Sequence, residues 1–248
     1  MSIVVNADDF GFSQSVNEAI AESFEKGLIN RTTLMTNMPY AREAMELAKQ
    51  RGFADKVGIH VNLTAGKPLS DAMAKDLTMC SSQGEFTADF ARNLKTRFFL
   101  KGSTSRNIEQ ELRTQFDTYA ELGGELWHVD SHHHVHTDPS VWKVMRMVIK
   151  EYPVTSVRIG RNMYRGGNVL MRIYKIILNS DIRKSCARAC DFFGSGLDYN
   201  EYTLGMDTDN KQKFVKNNNI EIMVHPMYGS NGELTDSGEK FDKYLDLW

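Results

Sequence analysis

Short β-type runs alternate with longer amphipathic segments along all 248 residues, and this alternation restricts the fold more than any other feature. Apolar residues at period two, then at i, i+3, i+4 and i+7, describe strand–helix–strand units, which build parallel sheets covered by helices. Ile3-Val4-Val5 reads as the first strand. Ser15 and Glu18 have the spacing of a capping box, and Val16, Ala19, Ile20 and Phe24 follow at helical intervals up to Gly27. Thr32 to Thr36 reads as strand, Ala41 to Gln50 as a helix closed by Gly52, and Val57 to Val61 as strand. A polar connection runs from about Thr64 to Ser105, a helix ends at Gly123-Gly124, and Leu126 to Val129 is the next strand. Trp142, Met145, Ile149 and Tyr152 mark a helix face and Thr155 to Ile159 a strand. Leu170, Ile173, Tyr174, Ile177 and Leu178 form a second helical stripe, expected to be core, and Ile220 to Val224 is the last clear strand. The pattern predicts a parallel α/β fold, an open sheet or a barrel.

No repeat, low-complexity tract or Pro-rich linker divides the chain, so residues 1–248 are expected to form one domain with a long connection at about 64–105. Hydrophobic residues make up 41% and charged residues 25%, an ordinary globular composition. Lys+Arg 30 against Asp+Glu 32 leaves a net charge of -2, which argues against a nucleic-acid partner. The N-terminus has neither a basic leader nor a long apolar core, so no signal peptide or membrane anchor is expected and the cytoplasm is the default. Cys80, Cys186 and Cys190 are too few for a disulfide framework, and Cys186 and Cys190 lack the second pair of a zinc site. The near-zero total is an average. Residues 140–188 hold eleven Lys/Arg against Glu151 and Asp181, so that segment stands at +9 and the remainder at -11.

The unusual polar residues fall at strand ends. Asp8 and Asp9 follow the first strand, His60 lies near the end of the Val57 strand, Asp130 and His132 follow the Leu126 strand, Arg158 lies in another, and His225 follows the last. In parallel α/β folds active sites collect at the carboxyl ends of strands. Adjacent residues on extended backbone point to opposite sides, so Asp8 and Asp9 can serve different contacts, one a metal and the other a proton. An Asx turn into the following helix is the structural alternative. The run His128-Val-Asp130-Ser-His132-His133-His134-Val-His136 holds five of the 7 His in nine residues. At strand periodicity His128, Asp130, His132, His134 and His136 would share one face. Imidazole with a carboxylate suits borderline divalent metals, and the remaining members would orient ligands or touch substrate.

Together these residues resemble the YdjC-like carbohydrate deacetylase family, which includes bacterial chitooligosaccharide (diacetylchitobiose) deacetylases. The matching pieces are Asn6-Ala-Asp-Asp-Phe-Gly11, Gly58-Ile-His-Val-Asn-Leu-Thr64, the block from His128 to His136, and Val224-His-Pro226, in that order across most of the chain. The resemblance implies a distorted, incomplete TIM-like (β/α) barrel akin to NodB-type deacetylases. It implies a divalent metal on Asp9, His60 and His132, with Asp8 as general base and His225 as general acid. It also implies an N-acetylated sugar as substrate, in some members a phosphorylated disaccharide. Amide hydrolysis fits this set, since it needs an activated water, a polarised carbonyl and a protonated leaving amine. Mg or Zn leads among the metals, and Mn or Co also suits O/N ligands. Asp130, His134, His136 and Arg158 are candidates for orienting ligands or contacting substrate.

Arg158, Arg161 or Arg165 could read a sugar phosphate. The plainer reading of the basic segment is solvated helix faces or a subunit contact. Competing functions are a metal-dependent phosphoesterase, a sugar-binding protein that has lost turnover, and an iron oxygenase with His128, Asp130 and His225 as a facial triad. The 22 residues after Pro226 have room for a helix ending at Asp242–Trp248 and for no obvious closing strand. With some forty residues in the connection, a barrel of about 250 residues falls short of eight regular units. An exposed remnant at the incomplete closure would favour a homodimer.

Overall fold

The computed structural model describes residues 3–164, 166 and 169–245. Strand β1 (Ile3–Phe10) is followed by α1 (Gln14–Glu25), β2 (Arg31–Leu34), α2 (Ala41–Arg51) and β3 (Val57–Val61). Helix α1 starts earlier than the Ser15–Glu18 spacing suggests, because Ser13 is the cap and its side chain accepts from Val16 N. Gly52 closes α2 in the left-handed conformation, at φ 75°.

The connection after β3 is not structureless. It contains the short helices α3 (Asp71–Ala74), α4 (Asp89–Arg92) and α5 (Leu94–Phe98) and leads into α6 (Gly102–Glu121). It is clamped from below by α6, where buried Glu111 accepts from Leu69 N and Ser70 N at 3.0 and 2.8 Å. Next come β4 (His128–Ser131), α7 (Pro139–Val148), β5 (Ser156–Val157), α8 (Val169–Ser185) and β6 (Phe192–Ser195). β4 lies two residues beyond its expected position, and β5 is shorter than expected. The stripe on α8 is also placed otherwise than expected: Leu178 is buried, whereas Leu170, Ile173 and Ile177 are exposed.

Helices α9 (Gly196–Thr203) and α10 (Thr208–Asn217) lead to β7 (Ile220–Val224). The tail then forms β8 (Pro226–Tyr228), β9 (Leu234–Asp236) and β10 (Glu239–Lys240), a small antiparallel sheet. The expected terminal helix is not formed over 241–245, and residues 246–248 lie outside the described residues. Ser237 and Gly238 both take positive φ between β9 and β10, as a two-residue type I′ hairpin requires. Ser237-Gly238 is the sequence signal for that turn.

The seven parallel strands run β5-β4-β3-β2-β1-β7-β6 and curl into an incomplete barrel. Its edge strands are not laddered together, yet the chain stitches the gap itself. Ser156 bridges Arg188, and Phe193 O accepts from Asn162 N and Met163 N at 3.0 and 3.3 Å. The seam is thus crossed by hydrogen bonds from loop backbone in place of a continuous ladder.

Along β1, Ile3, Val5 and Ala7 belong with Ile20 and Met45 to the apolar layer under the helices. Asn6 and Asp8 turn to the interior, where they meet Thr33, Asp130 and Arg158. Gly58 allows this crowding, since a Cβ there would lie 2.9 Å from His128 O and 3.0 Å from Thr33 Cγ2. The barrel is thus filled by a paired polar network where many TIM barrels stack branched aliphatic side chains.

Candidate metal centre at the strand ends

A shift in the β1–β2 register between Ala7 and Phe10 separates the two adjacent aspartates. Asp9 has φ 70°, a left-handed conformation that few non-glycine residues adopt. Bulges of this kind re-aim side chains at sheet rims. Here Asp8 is driven into the barrel and Asp9 is left at its mouth. Asp9 Oδ1 lies 2.7 Å from His132 Nδ1 and 3.2 Å from His60 Nε2. The ligating atoms of Asp9, His60 and His132 all fall within 4.8 Å of one another. Burial opposes the charge on Asp9, but hydrogen bonds from both imidazoles hold its carboxyl well below the usual range.

His60 sits opposite Asp130 in the β3–β4 register. Its Nδ1 is 2.7 Å from Asp130 Oδ1 and 3.2 Å from Thr33 Oγ1, which leaves Nε2 facing Asp9. A carboxylate behind the non-ligating imidazole nitrogen is the usual support of a metal-binding histidine. Burial pulls the His60 pKa down, and the Asp130 charge with the bonds to Asp130 and Asp9 raises it to about 10.

Arg158 is fully buried and holds three carboxylates. Its Nη1 and Nη2 donate to the two Asp8 oxygens at 2.7 Å, Nη2 lies 2.8 Å from Asp130 Oδ2, and Nε donates to Glu221 Oε1 at 2.7 Å. Its guanidinium also lies over the Phe193 ring, 4.7 Å from the centroid. With every nitrogen committed inside the barrel, Arg158 does not reach out to a sugar phosphate; it is a positioning group. Burial raises the Asp8 pKa, but the charge and hydrogen bonds of Arg158 prevail and hold the carboxyl well below its ordinary value. Two other acidic groupings, Asp8–His60–Asp130 and His128–Asp130–Glu221, converge as closely as the first. Arg158 already stands among their carboxylates as the counter-cation, so the Asp9 trio is the one whose donor set is open to an added ion.

The histidine run abandons strand periodicity after Ser131. Residues 132–137 form a tight turn in which His133 and His134 take φ 52° and 55°. His132 projects to the rim and its ring lies 4.1 Å from that of His133. His136 folds back into the barrel, with Nδ1 2.6 Å from Ser131 Oγ and Nε2 3.1 Å from Arg158 O. His134 turns toward Phe193, and its Nδ1 is buried without a hydrogen-bond partner. His128 stays deep in the barrel, with Nδ1 2.8 Å from Ser156 Oγ and Nε2 3.7 Å from Glu221. It forms no ligand cluster with Asp130 and His225 among the described residues, so the facial-triad arrangement is not present.

His225 follows β7 directly and is half-buried, and its backbone N–H donates to Asp236 Oδ1 at 2.7 Å. Its side chain is close enough to Asp8 to interact with that charge. It lines a small recess of about 190 Å³ with Asp236, Asn200 and Tyr244. On the other side of the histidine turn, a recess of about 280 Å³ is lined by His133, His134, Arg97, Arg161 and Lys175. Arg161 and Arg97 are bound to Asp198 and Asp138, whereas Lys175 makes no ion pair among the described residues. Arg165 lies outside the described residues.

Sequence reasoning singled out neither Glu221 nor Thr33, nor the supporting role of Asn6. The alternation of β1 and β7 could have flagged Asn6 and Glu221 as polar residues inside otherwise apolar strands.

A family model described as YdjC-like protein matches residues 2–244. A carbohydrate deacetylase of Clostridium beijerinckii is 30% identical over 250 residues, covering 100% of this chain and 90% of that protein. One from Geobacillus stearothermophilus is 34% identical over 227 residues, covering 91% and 79%. Among solved structures, one titled as a cellobiose-phosphate cleavage protein of Enterococcus faecalis V583 superposes with a TM-score of 0.63. It is 24% identical, covers 91% of this chain and 81% of that one, and shares the fold. By the family match and the relatives over nearly its whole length, the chain belongs to the YdjC-like family.

Proposed function

We propose that the chain is a metal-dependent hydrolase that removes an N-acetyl group from an amino sugar and releases acetate. Its substrate in this reading is a chitooligosaccharide or the phosphorylated disaccharide. The observation that carries the reading is the convergence of Asp9, His60 and His132 within 4.8 Å, beside the Arg158-held carboxylate of Asp8. Those three residues would hold a divalent ion, Mg or Zn first, with Mn or Co also suited to one oxygen and two nitrogen donors. When bound, such an ion polarises the acetyl carbonyl and brings the pKa of water toward ~7.

The chain's own groups do the rest. Each carboxylate oxygen has two lone pairs. Asp8 Oδ2 accepts one bond, from Arg158 Nη1, and keeps a lone pair for the proton of the attacking water. Arg158 holds that carboxylate ionised and fixed in direction. His225 supplies a proton to the departing sugar amine, without which C–N cleavage stalls. Asp130 fixes the His60 tautomer, and His136 ties the histidine turn to Arg158 O.

Lys175, in the recess beside His133 and His134, supports a phosphate on the substrate, as does the cellobiose phosphate named for the E. faecalis protein. No helix among the described residues is long and apolar enough to cross a membrane. Three free cysteines suit the cytoplasm, which we assign as its compartment.

Acetate release from N-acetylated chitooligosaccharides, with and without 6-phosphate, tests the reading on protein stripped of metal and reloaded with Mg, Zn, Mn or Co. Turnover is expected with at least one ion, and Asp8→Asn and His132→Ala should each lower it at least ~100-fold. Unchanged turnover in both variants would overturn the assignment of roles. Release of phosphate in place of acetate would make the protein a phosphoesterase, and sugar binding without turnover a lapsed enzyme.

A further inference from the structure

Two phenylalanines flank Gly11 at the end of β1, and the fold places them oppositely. Phe10 is buried, its ring 5.9 Å from that of Phe53. Phe12 is 41% exposed. Its ring centroid lies 6.5 Å from that of His132, with the planes tilted by 34°. The exposed ring therefore stands at the barrel mouth, next to one of the three groups that would hold the metal.

The support under this ring is rigid. Phe12 N–H donates to Asp9 O at 3.0 Å, which closes the turn that also aims Asp9. Gly11 takes φ 92° and lies so close to the start of α2 that a Cβ there would be 3.1 Å from Ala41 Cα and 3.2 Å from Met35 O. Buried Asn17 accepts from Gly11 N–H at 2.8 Å and donates to the Tyr40 carbonyl at 3.3 Å. Tyr40 is exposed as well and ends the connection between β2 and α2, on the same rim. A lone exposed ring is ordinary on a protein surface. One fixed through its backbone to the turn that presents Asp9, and set against His132, is a preorganised binding surface.

A pyranose ring offers what such a surface takes. Its axial C–H bonds make an apolar face, while its equatorial hydroxyls spread around the edge. The face of an aromatic ring is electron-rich and attracts the weakly positive C–H hydrogens. We propose that Phe12 is the platform for the substrate: the C–H face of the amino-sugar ring lies on it, and the N-acetyl group is thereby carried to Asp9, His60 and His132. Tyr40 borders the same platform. This rests on the deacetylase reading and goes beyond it by naming the residue that holds the sugar ring. Phe12 touches no reacting atom in this role, so it contributes binding that ground and transition states share.

Acetate release from N,N′-diacetylchitobiose by the metal-loaded chain is the first test. Phe12→Ala should raise KM at least ~10-fold and leave kcat within ~3-fold, and Phe12→Trp should restore KM. Calorimetric titration of the same sugar into His225→Gln protein, with and without Phe12→Ala, reads binding without turnover and should show the same loss of affinity. Because Phe12 is exposed, its replacement spares the core, and the rise in melting temperature on adding metal should persist. Unchanged KM and affinity in Phe12→Ala overturn the platform and leave the deacetylase reading standing. Phe12-dependent sugar binding without acetate release keeps the platform and overturns that reading. No sugar binding in either measurement overturns both. Loss of the metal-dependent rise in Phe12→Ala would mean that the ring only props His132, and overturns the platform as well.

Discussion

Arg158 is the residue on which the site's geometry depends. Its guanidinium neutralises Asp8, Asp130 and Glu221 together inside the barrel. Removing one partner of a buried ion pair is costly because the others stay buried and uncompensated. Arg158→Met should therefore lower stability by at least ~3–5 kcal/mol in urea unfolding. Its position directly after β5 made it a candidate, but an arginine near a strand end reads equally as an anion binder, and only the three carboxylates around it decide otherwise. His136 gives a second prediction. Burial pulls its pKa down to about 4, against the opposing charge of Asp130, from an unfolded value near 6.5. Between those values the unfolded chain binds the extra proton, so stability falls as pH drops from 6.5 toward 4. The loss is up to ~3 kcal/mol. Denaturant titrations of metal-free protein across that range should show the slope, and His136→Gln should flatten it. His60 acts in another window, since its raised pKa gives stability present below 6.5 and lost as pH climbs through about 10.

Elements turn these residues toward one another. The β1 bulge sends Asp8 inward and Asp9 outward, and the left-handed pair His133-His134 swings His132 to the rim and His136 under it. Alternation along the sequence located the strand ends well, because a strand buried on both faces leaves a local apolar signature. It misjudged the histidine run, because nothing in five imidazoles announces two consecutive residues at positive φ; those are imposed by the contacts of His133 with Thr64 and of His136 with Ser131 and Arg158. Close strand approach makes a further prediction. Gly58→Ala would press a methyl against His128 O and Thr33, with a cost of ~1–3 kcal/mol. Thermal unfolding should show a fall of several degrees, and activity should fall with it as His60 shifts from Asp130.

The whole molecule is an incomplete barrel whose gap is closed by its own backbone, with a polar interior in place of an aliphatic one. Because the Asp9 trio is partly preformed in the folded chain and absent from the unfolded one, an added ion should stabilise the fold. At a hundred times the dissociation constant the gain is ~2.7 kcal/mol. Calorimetry of stripped protein with and without Zn or Mg should show this rise, and His132→Ala should abolish it. An unchanged melting temperature with every ion would count against Asp9, His60 and His132 as ligands. Charge is also uneven at this scale, since the basic segment includes α7 and α8 and adjoins the recess that holds Lys175.

The order of strands and helices up to α8, strand β7, and the list of acidic and imidazole groups at strand ends were legible in the linear chain, because hydrophobic period and backbone propensity act over a few residues; β6, α9, α10 and the small terminal sheet were not. Pairing was not. Arg158 meets Asp8 across 150 residues and Glu221 across 63, and α8 shows an apolar stripe whose upper part faces outward. Such outcomes depend on barrel curvature and on which helix face finds a neighbour. Charge pairing and burial are properties of distance in space, and only the folded chain sets those distances.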